Sequence, residues 1–126
     1  MLTDLELGWL AGLLEGEGYF GLRSDSGTHQ VKLEMTDEDV VLRALILIQR
    51  ITGNQHNITE VNRKDKKAHY QPTFVIALYG KDATKVMKKV VKLMGWRRRQ
   101  KIWQTLNNFR PVKYSNQTLL AIVRAS

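Results

Sequence analysis

The chain has 126 residues, no cysteine, two prolines and 43% hydrophobic residues, which predicts one soluble globular domain with a modest core and leaves no room for two. Without cysteine there is no disulfide framework, thiolate metal site or cysteine nucleophile, and with no signal-like opening and apolar runs far short of the roughly 20 residues of a membrane span, an intracellular protein with no membrane partner is expected. The formal charge of +8 points to a polyanion, yet residues 81–101 hold nine basic residues against one acid while the rest of the chain balances at eleven of each sign.

Thr3 or Asp4 can cap a first helix, in which Leu5, Trp9, Leu10, Leu13 and Leu14 recur at helical spacing until Gly16 and Gly18 end it. Two alternating runs follow. Phe20 and Leu22 alternate with Tyr19, Gly21 and Arg23, and Val31, Leu33 and Met35 with Gln30, Lys32 and Glu34, joined by turn residues 24–28. This pattern predicts a half-buried hairpin with a polar outer face. Thr36 or Asp37, followed by acids at 38 and 39, starts a second helix with Val40, Val41, Ala44, Leu45, Ile48 and Ile51 inward, stopped by Gly53 and Asn54.

A second hairpin is read over 57–64 and 72–79, with a basic loop at 65–70. A third helix over 81–94 turns Ala83, Val86, Met87, Val90, Val91 and Met94 inward and breaks at Gly95. A fourth over 97–109 places Ile102, Trp103, Leu106 and Phe109 on one face, Pro111 terminates it, and 116–124 reads as a short last helix. The order α-β-β-α-β-β-α-α-α is an α+β class: a four-stranded antiparallel sheet, helices on one face, a free polar face on the other.

Glycines at 8, 12 and 16, with Ala11 beside them, break the local rules of the first helix, since a mid-helix Gly costs about 1 kcal/mol against Ala. Four-residue spacing lines them into a groove that another backbone can approach closely. Glu15 and Glu17 exclude lipid as the partner. Both acids stand at the helix C-terminus, where unpaired carbonyls disfavour carboxylates by a few tenths to about 1 kcal/mol, a placement that calls for a cation. Carbonyls and carboxylates are hard oxygen donors that suit Mg²⁺ or Ca²⁺ better than zinc, for which His29, His56 and His69 show no ligand spacing.

Residues 10–18, Leu-Ala-Gly-Leu-Leu-Glu-Gly-Glu-Gly, resemble the LAGLIDADG motif of homing endonucleases, and the αββαββα order matches that family's core. The chain departs from the pattern with Glu at both acidic positions, where Asp is commoner, lengthening each ligand arm by one methylene. The resemblance implies a site-specific endonuclease that cuts both strands of a long, roughly palindromic double-stranded DNA as a two-fold homodimer. Gly8, Ala11, Gly12 and Gly16 are then the subunit contact. Glu17 is implied as the acid that reaches the scissile phosphates and holds Mg²⁺, with the Gly16 carbonyl as a further ligand and Mn²⁺ or Ca²⁺ as substitutes for binding. Arg97 is implied as the basic residue of the solvent pocket, with Arg98 and Arg99 as rivals that could instead anchor phosphates. Asp37 is either a polar pocket residue or the cap of the second helix.

Base reading is expected from outward sheet residues, because a two-stranded ribbon fits the major groove. These are Tyr19, Arg23, Asp25, Gln30, Lys32 and Glu34 in the first hairpin, and Glu60, Asn62, Lys64, Gln71 and Thr73 in the second. Parity in the second hairpin stays open, since residues 74–78 are apolar throughout. The mixed signs favour base readout over bulk electrostatics, and Arg63, Lys66 and Lys67 suit flanking phosphates. Lys85, Lys88, Lys89 and Lys92 lie opposite the third helix's apolar stripe, facing water. The same fold has a second reading: an RNA maturase with intron RNA as partner, or a DNA-binding regulator that does not cut.

Overall fold

The computed structural model describes residues 1–62, 71–107 and 116–125. Helix α1, Asp4–Glu17, opens with a capping box in which the Thr3 hydroxyl accepts the Glu6 N–H at 3.1 Å and the Glu6 carboxylate accepts the Thr3 N–H at 2.9 Å. It passes without a loop residue into β1, Gly18–Leu22. Glycine is required at that junction: a Cβ on Gly18 would lie 2.7 Å from the Leu14 carbonyl oxygen, which accepts the Gly18 N–H.

The remaining elements are β2 His29–Met35, α2 Glu38–Thr52, β3 Thr59–Val61, β4 Thr73–Tyr79, α3 Gly80–Val90, a 3-10 turn at Val91–Leu93, α4 Trp96–Asn107 and α5 Asn116–Ala125. The strands form one antiparallel sheet in the order β1-β2-β4-β3. The α+β class, the αββαββα core and the added C-terminal helices are those expected from the sequence. Among the described residues no helix is long and apolar enough to cross a membrane.

The core fills the space between the sheet and its helices. Phe20, Val31 and Leu78 form one cross-strand row and Leu33 with Ile76 another. Against them pack Leu10, Ala11 and Leu14 of α1, Val41, Ala44, Leu47 and Ile48 of α2, Ala83, Val86, Met87 and Val90 of α3, and Ile102 of α4. Full burial of each large apolar side chain contributes about 1.5–3 kcal/mol. Val91 and Met94, also expected inward, are buried in the turn after α3.

In α1 and α4, Leu10, Leu14 and Ile102 are buried as expected, with Trp9, Leu13 and Leu106 packed against the core, but each helix departs from its expected face at one residue. In α1 the buried stripe is Leu10, Ala11 and Leu14, flanked by part-buried Leu7, which leaves Leu5 82% exposed and Trp9 half-buried under the Arg43 guanidinium, 4.1 Å from its ring centre. In α4, Trp103 was expected inward but is 43% exposed, edge-on to Trp96, and Thr105 takes the core position. The Thr105 hydroxyl donates to the Lys101 carbonyl at 2.8 Å, which removes the penalty for burying it. Phe109 lies outside the described residues.

Candidate nucleic-acid interface and the end of the motif helix

Gly8, Gly12 and Gly16 face away from the core, and a Cβ added at any of them would meet nothing within 4 Å. With exposed Leu5 they form an open strip along α1. Ala11 does not belong to it: only 2% exposed, it packs into the chain's own core, which corrects its expected place in a subunit contact.

The two motif acids have different surroundings. Glu15 is held from within: its Oε1 accepts the Gly95 N–H at 3.1 Å and its backbone carbonyl accepts from Arg98 Nε at 3.1 Å. Gly95 sits at the start of α4, its carbonyl accepting the Arg99 N–H at 2.8 Å, so the Glu15 carboxylate meets the positive end of that helix. The cation that its place at the end of α1 calls for is thus supplied by α4. Glu17 is exposed, and its carboxylate makes no hydrogen bond or ion pair with any described residue. Nor do the described residues contain a group of three or more His, Asp or Glu able to enclose a metal ion.

The three consecutive arginines diverge. Arg98 lies along the last turn of α1 with its guanidinium 6.0 Å from the Phe20 ring centre. Arg99 turns back, its terminal nitrogen donating to the carbonyls of Lys92 and Met94 at 3.0 and 3.2 Å. Both are part-buried and occupied with the chain's own backbone, at odds with their expected use on DNA phosphates. Arg97 is exposed and has no partner among the described residues. Asp37 occupies the N-cap position of α2, but its carboxylate makes no capping bond and is exposed, so the cap role is positional only.

Directly opposed residues of an antiparallel pair share a face, so the register fixes the outer surface. Tyr19, Lys32 and Ala77 form one row, Gly21, Gln30 and Tyr79 a second, and Glu34, Val75 and Thr59 a third. Tyr19, Gln30, Lys32, Glu34 and Thr73 therefore lie outward as expected, with Arg23 and Asp25 in the loop beyond β1. The polar groups are paired with one another: Arg23 Nε to Asp25 at 2.8 Å, Lys32 to Glu34 at 3.8 Å, and the Thr73 hydroxyl to Glu34 Oε2 at 2.6 Å. Exposed pairs of this kind contribute about 0–1 kcal/mol each, so the same groups can exchange their partners for base edges at little expense.

Glu60 is a correction. It pairs with Phe74, which pairs with Met35, and so shares the helix-side face; Thr59 and Val61 point outward in its place. The cause is a three-residue edge strand facing a partner that is apolar on both faces, where side-chain pattern cannot choose the register. Asn62 follows β3 and Gln71 precedes β4, both exposed. Lys64, with Arg63, Lys66 and Lys67, lies outside the described residues. Sequence reasoning passed over Tyr79, 43% exposed on the outer face opposite Gln30. Counting by twos from Thr73 along β4 would have found it.

No family model and no curated protein matches the chain. Solved structures do. The homing endonuclease I-CvuI, in complex with its target in 2 mM Ca, superposes with a TM-score of 0.54 at 18% identity, over 81% of this chain and 64% of that one. A second structure of I-CvuI, on the I-CreI target in 2 mM Mg with the DNA not cleaved, gives 0.53 at 18% identity over 82% and 64%. The group I intron-encoded homing endonuclease I-CeuI, complexed with DNA, gives 0.53 at 15% identity over 99% and 58%. The chain thus spans about three fifths of the length of these proteins. It has the LAGLIDADG homing-endonuclease fold, in agreement with the resemblance carried by residues 10–18.

Proposed function

We propose that the chain is a site-specific, metal-dependent endonuclease that cuts double-stranded DNA as a homodimer. The observation that carries this reading is the position of Glu17: an exposed, unengaged carboxylate at the point where an open glycine-lined helix face meets a polar sheet face. The DNA complexes of the fold's solved members support the same reading.

The donor chemistry fits a divalent cation such as Mg²⁺. Glu17 and the Gly16 carbonyl are hard oxygen donors, and one chain supplies only one free motif acid, so two copies meeting along Gly8, Gly12 and Gly16 would bring two such carboxylates together. When bound, the ion would help activate a water and offset charge on the phosphate and the leaving oxygen. Glu17, with the Gly16 carbonyl, would hold it. Arg97, whose guanidinium is unengaged, faces the phosphate and neutralises charge as it develops. Tyr19, Arg23, Gln30, Lys32, Glu34, Thr73 and Tyr79 read base edges, and Asp37 lines the solvent pocket.

The test is cleavage of a plasmid library of long, roughly palindromic sites in Mg²⁺. Glu17→Gln should bind the selected target with unchanged affinity and cut it at least about 100-fold more slowly, the equivalent of the several kcal/mol supplied by metal-assisted chemistry. Cutting that persists in Glu17→Gln, or in excess chelator, refutes the mechanism. Tight binding by the intact chain without cutting would favour the maturase or regulator of the same fold.

A further inference from the structure

Glu15 reaches across to a different part of the chain. Its Oε1 accepts the Gly95 N–H at 3.1 Å, its carbonyl accepts Arg98 Nε at 3.1 Å, and its second carboxylate oxygen is buried with no partner among the described residues. Gly95 is the residue that admits it, since a Cβ there would stand 2.5 Å from Glu15 Oε1. The two contacts join the last turn of α1 to the first turn of α4, and Arg97 lies on that first turn, two residues from Gly95. An unpaired buried carboxylate oxygen is expensive and a helix C-terminus disfavours Glu15; the Gly95 N–H, the Arg98 guanidinium and the positive end of α4 offset part of that cost.

We propose that Glu15 is a positioning residue that holds the first turn of α4 on the end of α1 and thereby sets where Arg97 stands relative to Glu17. Its kinetic consequence rests on the nuclease reading; the hold itself does not. A carboxylate is suited to the task because it complements the positive end of α4, and the arm of Glu15 takes the space over Gly95 that a Cβ would contest. Misplacing a charged group by about an ångström can cost about 100-fold in rate, so loss of the hold should act on turnover with little effect on DNA affinity.

The experiment combines Glu15→Ala, Glu15→Gln, Gly95→Ala and Arg97→Ala in the full chain. Glu15→Ala should slow single-turnover cleavage about 10- to 100-fold with DNA affinity within about twofold, and Glu15→Gln, which keeps the acceptor oxygen, should recover most of the rate. Gly95→Ala displaces the carboxylate with Glu15 intact and should repeat the loss; it also carries the test if Glu15→Ala does not fold. In an Arg97→Ala background, Glu15→Ala should slow cleavage no further, because the two act through one group. An equal loss in both backgrounds, or weakened DNA binding with an unchanged rate, overturns the proposal. Should the wild-type chain cut no DNA, the nuclease reading fails separately, and amide exchange in the first turn of α4 still decides the hold: faster exchange in Glu15→Ala supports it, unchanged exchange overturns it.

Discussion

The Arg23 guanidinium lies 4.7 Å from the centre of the Tyr79 ring, so the end of β1 is tied to the end of β4 across β2. The row Gly21, Gln30 and Tyr79 runs beside this contact, and the space over its glycine is taken by the Tyr19 ring, whose hydroxyl would stand 2.5 Å from a Cβ there. Arg23 also binds Asp25 at 2.8 Å, so one side chain organises two neighbours on the proposed reading face. Arg23→Ala should cost about 1–3 kcal/mol on the selected target and relax preference at one or two base positions, with non-specific binding little changed. Binding-site selection before and after the substitution measures this; an unchanged preference with uniformly weaker binding would make Arg23 a phosphate contact.

Gly12 has open space where a side chain would stand. Gly12→Leu should therefore leave the chain folded, with a thermal midpoint close to wild type, while preventing the close backbone approach proposed for two copies. Sedimentation should show a folded monomer that no longer cuts. A dimer of unchanged stability would remove the strip on α1 from the contact.

The acid side of the stability profile should report the capping box of α1. The Glu6 carboxyl is held below its ordinary value of 4.5, first by the Thr3 backbone N–H, with the Thr3 hydroxyl and Arg50 adding to it against a desolvation penalty. A group depressed in the folded state stabilises fully above its unfolded value and loses that contribution as pH falls through the lower folded one. Stability should thus decline as the pH drops below 4.5, and Glu6→Gln should flatten that part of the curve. Thr3→Ala should cost about 1 kcal/mol at neutral pH. Urea midpoints measured across the acid range provide the comparison.

Ile102 and Trp103 are adjacent, and the structure assigns them opposite energetics. Ile102 is fully buried, so Ile102→Ala should destabilise by about 2–5 kcal/mol. Trp103→Ala should cost under about 1 kcal/mol, since the ring is half-exposed and packs on Trp96 and Arg99 at the surface. Reversed values would restore Trp103 to the core and rotate α4 by roughly one residue.

What the sequence made legible follows how sharply polarity alternates. In α3 lysines stand against valines and methionine, and Ala83, Val86, Met87, Val90, Val91 and Met94 are all buried as expected. The first hairpin alternates as cleanly, and its outer residues are where the pattern put them. In α1 the acids stand at the two ends and residues 7–14 between them are all apolar or glycine, so the pattern does not single out one stripe, and Leu5 falls outside the buried one. The same ambiguity placed Ala11 in the groove. β3 has only three residues, too few to fix a parity against β4. The partnership of Glu15 with Gly95 joins residues 80 apart in the chain, and no local spacing could reveal it; only the composition hinted at it, through a carboxylate left where a helix end repels it.

The direct passage of α1 into β1 has a mechanical consequence for the proposed dimer. No flexible residue separates Glu17 from Gly18, and the crowding at Gly18 leaves that corner little freedom. In the proposed dimer, any change in the angle at which two copies of α1 cross would then be transmitted as a rigid tilt of both sheets along the DNA. The helix pair would set the spacing between half-sites, and the strands the letters read within each. New target sequences would accordingly arise by substitution on the outer face of the sheet without altering the proposed stagger between the two cuts.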